Sequence, residues 1–430
     1  MSDDGSNNAG GRASTKIRWG YWMPVFGGWL RNVPDEGMEA SWAYVKRLAQ
    51  RSEQLGFDLT LIAELLLNDI KGPDAPSLDA WSTAAALAAV TERLELMVAV
   101  RPSFHPPAIL AKQAANIDRI SGGRLALNVV SAWWKDEARR YGAAFDEHDD
   151  RYARTSEWLD VVRGAWSEPR FSYGGRFYEH DQIILEPKPW REARRHAPPI
   201  YAGGESETAK TLIASKCDAY VMHGDPPDRI APRIADMRRR REQASEALGI
   251  DLPPLTFGVA AYAIVRDTEG EARAEVERIT NVAPGSPGYG NYKDWIANTK
   301  LEQQVSAADY SVSNRGLRSG LVGTPERVAE RVDEFARAGV DLLLIQCSPQ
   351  LEEMERLSAS VIRPAAGFSR GGASELEVVE QANAGVDAHA GSNHADHERR
   401  EHAERRSGGP TGVAADRRAD QHEEFLHIPP

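Results

Sequence analysis

The sharpest chemical feature of this 430-residue sequence is Tyr201-Ala202-Gly203-Gly204-Glu205-Ser206, a β-prone run that passes through two glycines into a helical pattern. Glycines let a ligand approach the backbone closely, and free N–H groups at a helix start attract a phosphate, with the Ser206 hydroxyl as a further donor. The turn therefore predicts a phosphate-bearing cofactor, and an ordinary N-capped tight turn is the alternative for the same residues. Arg151-Tyr152, opening another helical stretch, would add a cation and a phenol near the same end. Further polar residues close β-prone runs: Glu64, Arg101, Asn128, Ser131 and His223-Gly224-Asp225. Singly, each could be packed or structurally satisfied, whereas their convergence on one rim would make a site. Asp146-Glu147-His148-Asp149-Asp150 reads as charge at a helix entry rather than a metal site. The sequence shows no Ser/His/Asp order, no Walker loop and no Gly-x-Gly-x-x-Gly after its first strand.

What must position these residues is a rhythm of short β-rich runs alternating with longer helical periods, the pattern of repeated βα units around a parallel sheet. The expected strands are 17–23, 58–63, 94–100, 124–130, 199–202, 219–223, 255–265 and 341–346, the count of a TIM (β/α)8 barrel. Expected helices fill 42–56, 78–91, 107–121, 151–166, 206–216, 227–248, 268–281 and 325–339. Thr324-Pro325 starts one of them, and Gly56, Gly249 and Gly339 stop others. In such a barrel the active site lies at the C-terminal strand ends, where the polar residues above fall. Two stretches interrupt the rhythm: 168–198, with Gly174-Gly175 between aromatics, reads as a hairpin insertion, and 284–320, rich in Gly, Asn and Ser, as a lid over the barrel mouth. The barrel domain is expected over 16–366, flanked by a disordered N-terminus at 1–15 and a disordered polar tail at 367–430.

Hydrophobic residues at 41% with 11 Trp suffice for a large core. A formal charge of −12 argues against nucleic-acid or anionic-membrane partners, which need a positive footprint. Cys217 and Cys347 have no metal or disulfide spacing. Six histidines at 389, 394, 397, 402, 422 and 427 lie in the tail, too irregularly spaced to predict a metal site, so none is expected. With no membrane-length apolar run and no hydrophobic signal-peptide centre after Met1, a cytoplasmic location is expected. Large barrels of this kind often pair through outer helices, so a homo-oligomer is expected.

The segments Ala114 to Arg124, Asn128 to Trp133, His148 to Tyr152, Gly203 to Ser206, Gly224 to Pro227 and Leu321 to Pro325 together resemble the bacterial luciferase-like flavin monooxygenases, in the branch of alkanesulfonate and dimethylsulfone monooxygenases. The likeness spans about Ile17 to Pro364. It implies that FMN, delivered as FMNH2 by an NAD(P)H:flavin reductase, binds in the barrel mouth and is used with O2 to cleave the C–S bond of a small organosulfur substrate. It places the phosphate at Gly203, Gly204, Ser206, Arg151 and Tyr152, with Asn128, Glu137 and Glu64 near the flavin ring, and a lid bearing Arg315 and Arg318. Tyr262 and His223 are the candidates for proton transfer, with Arg315 as a third catalytic candidate.

The sequence departs from the sulfonate-cleaving relatives where Ala260 and Tyr262 stand in place of their Arg and His. Losing that Arg removes a bidentate anion clamp and favours a neutral substrate such as a sulfone, although Arg101, Arg315 or Arg318 could still grip a sulfonate. Two other readings stay open. An F420-dependent oxidoreductase of the same fold would want a more basic pocket than Glu64, Glu137 and Asp225 suggest, and a non-catalytic flavin-binding barrel would not need the lid.

Overall fold

The computed structural model describes residues 17–131, 134–190, 197–281, 285, 287–290, 292–298 and 305–365. The expectations for 1–15 and for the tail with its histidines lie outside the described residues.

Eight apolar runs form strands β1 (Arg18–Met23), β2 (Leu59–Ile62), β3 (Glu95–Val100), β4 (Leu125–Val129), β5 (Ile200–Ala202), β6 (Ala219–Met222), β7 (Thr256–Tyr262) and β8 (Leu342–Gln346). Each pairs in parallel with its sequence neighbours, and β8 closes on β1. Strands such as Leu342–Gln346 are buried along their whole length because side chains fill the barrel on one face and helices cover the other, so their sequences read as continuous apolar runs. Leu59, Leu61, Met97, Ala99, Ala126, Tyr201, Ala219, Leu342 and Leu344 pack together as the inner plug. Below it, at the strand N-termini, Arg18 meets Glu95 at 3.1 Å, and the Tyr201 hydroxyl donates to Glu95 at 3.3 Å. The expected TIM barrel is the observed fold.

The outer ring comprises α1 (Trp42–Leu55), α2 (Ala80–Val90), α3 (Pro107–Ile120), α4 (His148–Ser167), α5 (Glu207–Lys216), α6 (Pro227–Leu248), α7 (Pro325–Ala338) and α8 (Gln350–Leu357). Thr324 caps α7, with Pro325 in its first turn, and Gly56, Gly249 and Gly339 end α1, α6 and α7 as expected. Three details differ from expectation. Helix α8 was not anticipated, and it runs on through a π turn at Ser358–Ile362. A short helix, Lys135–Arg140, precedes α4. The run expected as one strand over 255–265 breaks at Ala263, whose N–H bonds the Gln346 carbonyl at 3.0 Å, and Ile264–Val265 pairs instead with Val322–Gly323.

The insertion at 168–198 contains the expected antiparallel hairpin, Phe171–Gly174 with Glu179–Ile183. Its turn docks on α4 through Glu157, which accepts the Arg176 and Phe177 N–H groups at 2.9 and 2.8 Å. Described parts of 284–320 form helices Tyr292–Asn298 and Ala307–Tyr310 and a 3-10 segment, Ser313–Ser319. Among the described residues no helix is long and apolar enough to cross a membrane.

Candidate active site at the barrel mouth

A cavity of about 300 Å³ opens at the C-terminal ends of the strands. Its wall gathers most of the residues singled out in the sequence: Glu64, Asn128, Arg151, Tyr152, Gly203, Gly204, Ser206, His223 and Arg315.

On one side lies the Gly-Gly turn. Ser206 caps α5, its hydroxyl accepting the Ala209 N–H at 3.2 Å. A Cβ on Gly203 would lie 2.9 Å from the Val221 carbonyl oxygen, and one on Gly204 would lie 2.6 Å from Ala209 Cβ and 3.1 Å from Tyr152 Oη. Both positions therefore require glycine to leave the helix entrance open. Helix α4 delivers Arg151 and Tyr152 near its start, where His148 packs at a tilt against Tyr152 with ring centroids 5.0 Å apart. Burial lowers the Arg151 guanidinium from its ordinary value and raises the Tyr152 phenol. A nearby anion would restore what burial takes from that cation.

Opposite, Arg101 closes the end of β3. Its backbone N–H donates to Glu64 at 3.0 Å, its Nε reaches the same carboxylate at 3.3 Å, and its Nη1 meets Glu137. His105 contacts the other oxygen of Glu64 at 2.5 Å. Glu137 does not belong to the cavity wall, contrary to expectation. It points beneath the loop after β2, accepting the Leu66 and Leu67 N–H groups at 2.6 and 3.3 Å. The acidic rim expected from Glu64, Glu137 and Asp225 is likewise corrected. The first two share Arg101, and Asp225 pairs with Arg233 at 2.8 Å.

Tyr262 also stands apart from the wall. Although it closes β7, it is 1% exposed, and Gly316 covers it so closely that a Cβ there would lie 2.8 Å from the Tyr262 amide nitrogen. Burial pushes its phenol well above the ordinary range, and its hydroxyl has no hydrogen-bond partner among the described residues. Ala260, two residues earlier, does face the cavity. His223, at the end of β6, is brought down to about 4 by burial, with the Arg315 guanidinium adding to the effect. It is thus neutral near pH 7. A free imidazole titrates near about 6.5, so the unfolded chain takes up this proton first as pH falls. Stability should drain between about pH 6.5 and 4. Urea midpoints of a His223→Gln variant are expected to fall less between pH 7 and 5 than those of the parent, and parallel slopes would show that His223 titrates normally.

Described residues of the segment expected as a lid, Trp295, Val305, Asp309, Tyr310, Val312, Ser313 and Arg315, line the cavity wall. Arg315, held at φ 54°, pairs with Glu205 of the Gly-Gly turn. Arg318 does not line the cavity and pairs with Asp309 at 2.7 Å, holding that carboxyl at about 2 against the opposing effect of burial. The anchor of this segment escaped sequence reasoning. Arg31 donates to the Tyr310 carbonyl at 2.9 Å, the Gly288 carbonyl at 2.8 Å and the Asp69 carboxylate at 2.6 Å, and lies 3.9 Å over the Tyr310 ring.

Residues 24–342 match the family model described as luciferase-like monooxygenase. The chain belongs to the luciferase-like monooxygenase family. This luciferase-like chain is 33% identical over 359 residues to an FMNH2-dependent dimethylsulfone monooxygenase of Pseudomonas putida, covering 81% of its own length and 95% of the relative. It is 30% identical to a protein of the same description from Pseudomonas fluorescens, covering 80% and 93%. Among solved structures, a riboflavin lyase superposes with a TM-score of 0.68 at 19% identity over 82% of this chain and 92% of that one, a likeness of fold. Trp22, Trp29, Arg31, Asp69 and Gln346 are wall residues of this luciferase-like barrel that the sequence did not single out. Only the position of Trp22 and Gln346 at strand ends could have signalled them.

Proposed function

We propose that this protein is a monooxygenase that uses FMNH2, supplied by a separate NAD(P)H:flavin reductase, and O2 to cleave a C–S bond in a small neutral organosulfur compound of the sulfone type. The observation that carries the substrate reading is Ala260, the residue on β7 that faces the cavity where sulfonate-cleaving relatives carry arginine. The rest of the wall supports it. Apart from Arg151, which would serve the cofactor phosphate, its arginines Arg31, Arg101 and Arg315 already face Asp69, Glu64 and Glu205, so a full negative charge would gain little there. The relatives at 33% and 30% identity are named for FMNH2 and dimethylsulfone. They also favour FMN over F420, a choice that the paired rim charges no longer inform.

The residues present fit FMN. The Gly203-Gly204 cradle, the start of α5, Arg151 and Tyr152 would hold the phosphate, and Asn128 and Glu64 stand where the ring would lie. Bound there as FMNH2, the cofactor would supply the electrons that activate oxygen. The chain's own task is then to orient the substrate and exclude water, with Trp22, Phe26, Trp29 and Tyr310 as the apolar wall and the 284–320 segment as the cover. His223, kept neutral at the mouth, would serve there as a hydrogen-bonding imidazole rather than as a standing cation. For dimethylsulfone the balance is (CH3)2SO2 + FMNH2 + O2 giving CH3SO2H, CH2O, FMN and H2O.

Purified protein coupled to an NADH-driven FMN reductase is expected to form formaldehyde and sulfinate from dimethylsulfone, and little product from methanesulfonate or a longer alkanesulfonate. Gly204→Val should weaken FMN, followed by flavin fluorescence, by about tenfold or more through loss of the phosphate cradle. Product from sulfonates alone would show that another arginine has taken over the clamp. Absence of FMN binding in the parent would end the monooxygenase reading.

A further inference from the structure

Among the described residues, Trp22 Nε1, Arg101 Nη2, Arg315 Nη1 and Gln346 Nε2 are buried N–H groups on the cavity wall with no acceptor. A buried donor left this way is destabilising, a cost that a binding site recovers when its ligand supplies the acceptor. The two arginines already serve carboxylates. Trp22 and Gln346 have no such duty. They lie on adjacent strands, one step beyond the register pair Tyr21 and Ile345, and strand alternation turns both inward with Leu344. Gln346 is 1% exposed. The indole of Trp22 is braced edge-on against Trp29 with ring centroids 6.3 Å apart. Around the two donors the wall is apolar, with Leu61, Ala99, Val221 and Ala260. The pair is thus neutral, preformed and in need of acceptors.

We propose that Trp22 and Gln346 form a two-donor subsite for the oxygens of a neutral sulfonyl group, and that they set the selectivity for sulfone over sulfide. The inference rests on the reading in the preceding section and adds the residues that choose the oxidation state of the sulfur. A sulfone presents two oxygens on one tetrahedral sulfur and no net charge, so two neutral N–H donors can satisfy it without a counter-ion. A dialkyl sulfide has similar apolar bulk but no oxygens, and would leave both donors orphaned. Sites built to hydrogen-bond a group reject the analogue lacking it far more strongly than apolar pockets reject a missing methylene.

The test is equilibrium binding of dimethylsulfone and dimethyl sulfide to the FMN-loaded protein by calorimetry, in the parent, Trp22→Phe and Gln346→Met. The parent is expected to favour the sulfone by at least about tenfold, and each variant to lose most of that ratio while binding FMN as the parent does. Gln346→Glu, which keeps the shape and exchanges a donor for an acceptor, should lower sulfone binding at least as far. The Trp22 indole N–H resonance, identified by its loss in Trp22→Phe, should move on adding sulfone and stay in place on adding sulfide. A parent that binds FMN but shows no preference for sulfone, or variants that keep the parent's ratio, would overturn the subsite and leave the monooxygenase reading standing. Failure of the parent to bind FMN would overturn both.

Discussion

Arg101→Met is expected to destabilise the protein by about 3–5 kcal/mol, the usual penalty for removing one partner from a buried ionic cluster. Arg101 sits between two carboxylates, with side-chain exposures of 3% for the arginine, 3% for Glu64 and 0% for Glu137. Methionine fills much of the same volume, so the loss would come from charge rather than from a cavity. His105 still touches Glu64, but Glu137 would keep only the two backbone N–H groups of Leu66 and Leu67. Urea denaturation would register the effect as a lower midpoint at unchanged slope. Adding Glu137→Gln to the variant should recover part of the loss, since it removes the stranded charge while keeping an acceptor. An Arg101→Met protein as stable as the parent would mean that the two carboxylates are not ionised together in the fold.

The second large effect is expected at Arg31. Its guanidinium joins three stretches of chain: its own loop after β1, the loop after β2 through Asp69, and the segment over the mouth through Gly288 and Tyr310. Arg31→Met would free that cover and take the guanidinium away from Asp69. Water would then reach the site, and reduced flavin would be spent on hydrogen peroxide instead of product. The ratio of product to oxygen consumed should fall by about tenfold, while FMN binding, which we propose to rest on the Gly-Gly turn, changes little. Arg31→Lys keeps the charge but cannot reach three acceptors in one plane, so it should lie between the two. An unchanged ratio in Arg31→Met, measured with a peroxidase assay, would show that the cover is held by other contacts.

What the sequence disclosed and what it hid follow from the range of the interactions involved. Strands such as Leu342–Gln346 and caps such as Thr324-Pro325 depend on neighbours a few residues away, so their residue types announce them. The Gly-Gly-Glu-Ser turn was legible for the same reason, because the glycines and the N-cap are local requirements. Arg31 was hidden because its partners lie 38, 257 and 279 residues downstream. Glu137 was placed near the flavin ring by resemblance, whereas its carboxylate is drawn under the wall by backbone N–H groups some 70 residues earlier. Tyr262 misled in another way. Strand alternation puts it on the face of Ala260, but the barrel strand ends there and the chain turns to pair with 322–323, carrying the ring behind Gly316. Trp22 and Gln346 obey the same alternation. Their importance shows only once their N–H groups prove to reach no acceptor among the described residues.

The plug of leucines inside the barrel, with Arg18, Glu95 and Tyr201 beneath it, makes the site a vessel sealed at its base. On the proposed reading, flavin, substrate and product would share one mouth, which described residues of the 287–319 stretch line. A cofactor delivered by a separate reductase would, on that reading, pass this mouth in both directions in every cycle. Exchange through it would then bound turnover, however fast the chemistry inside.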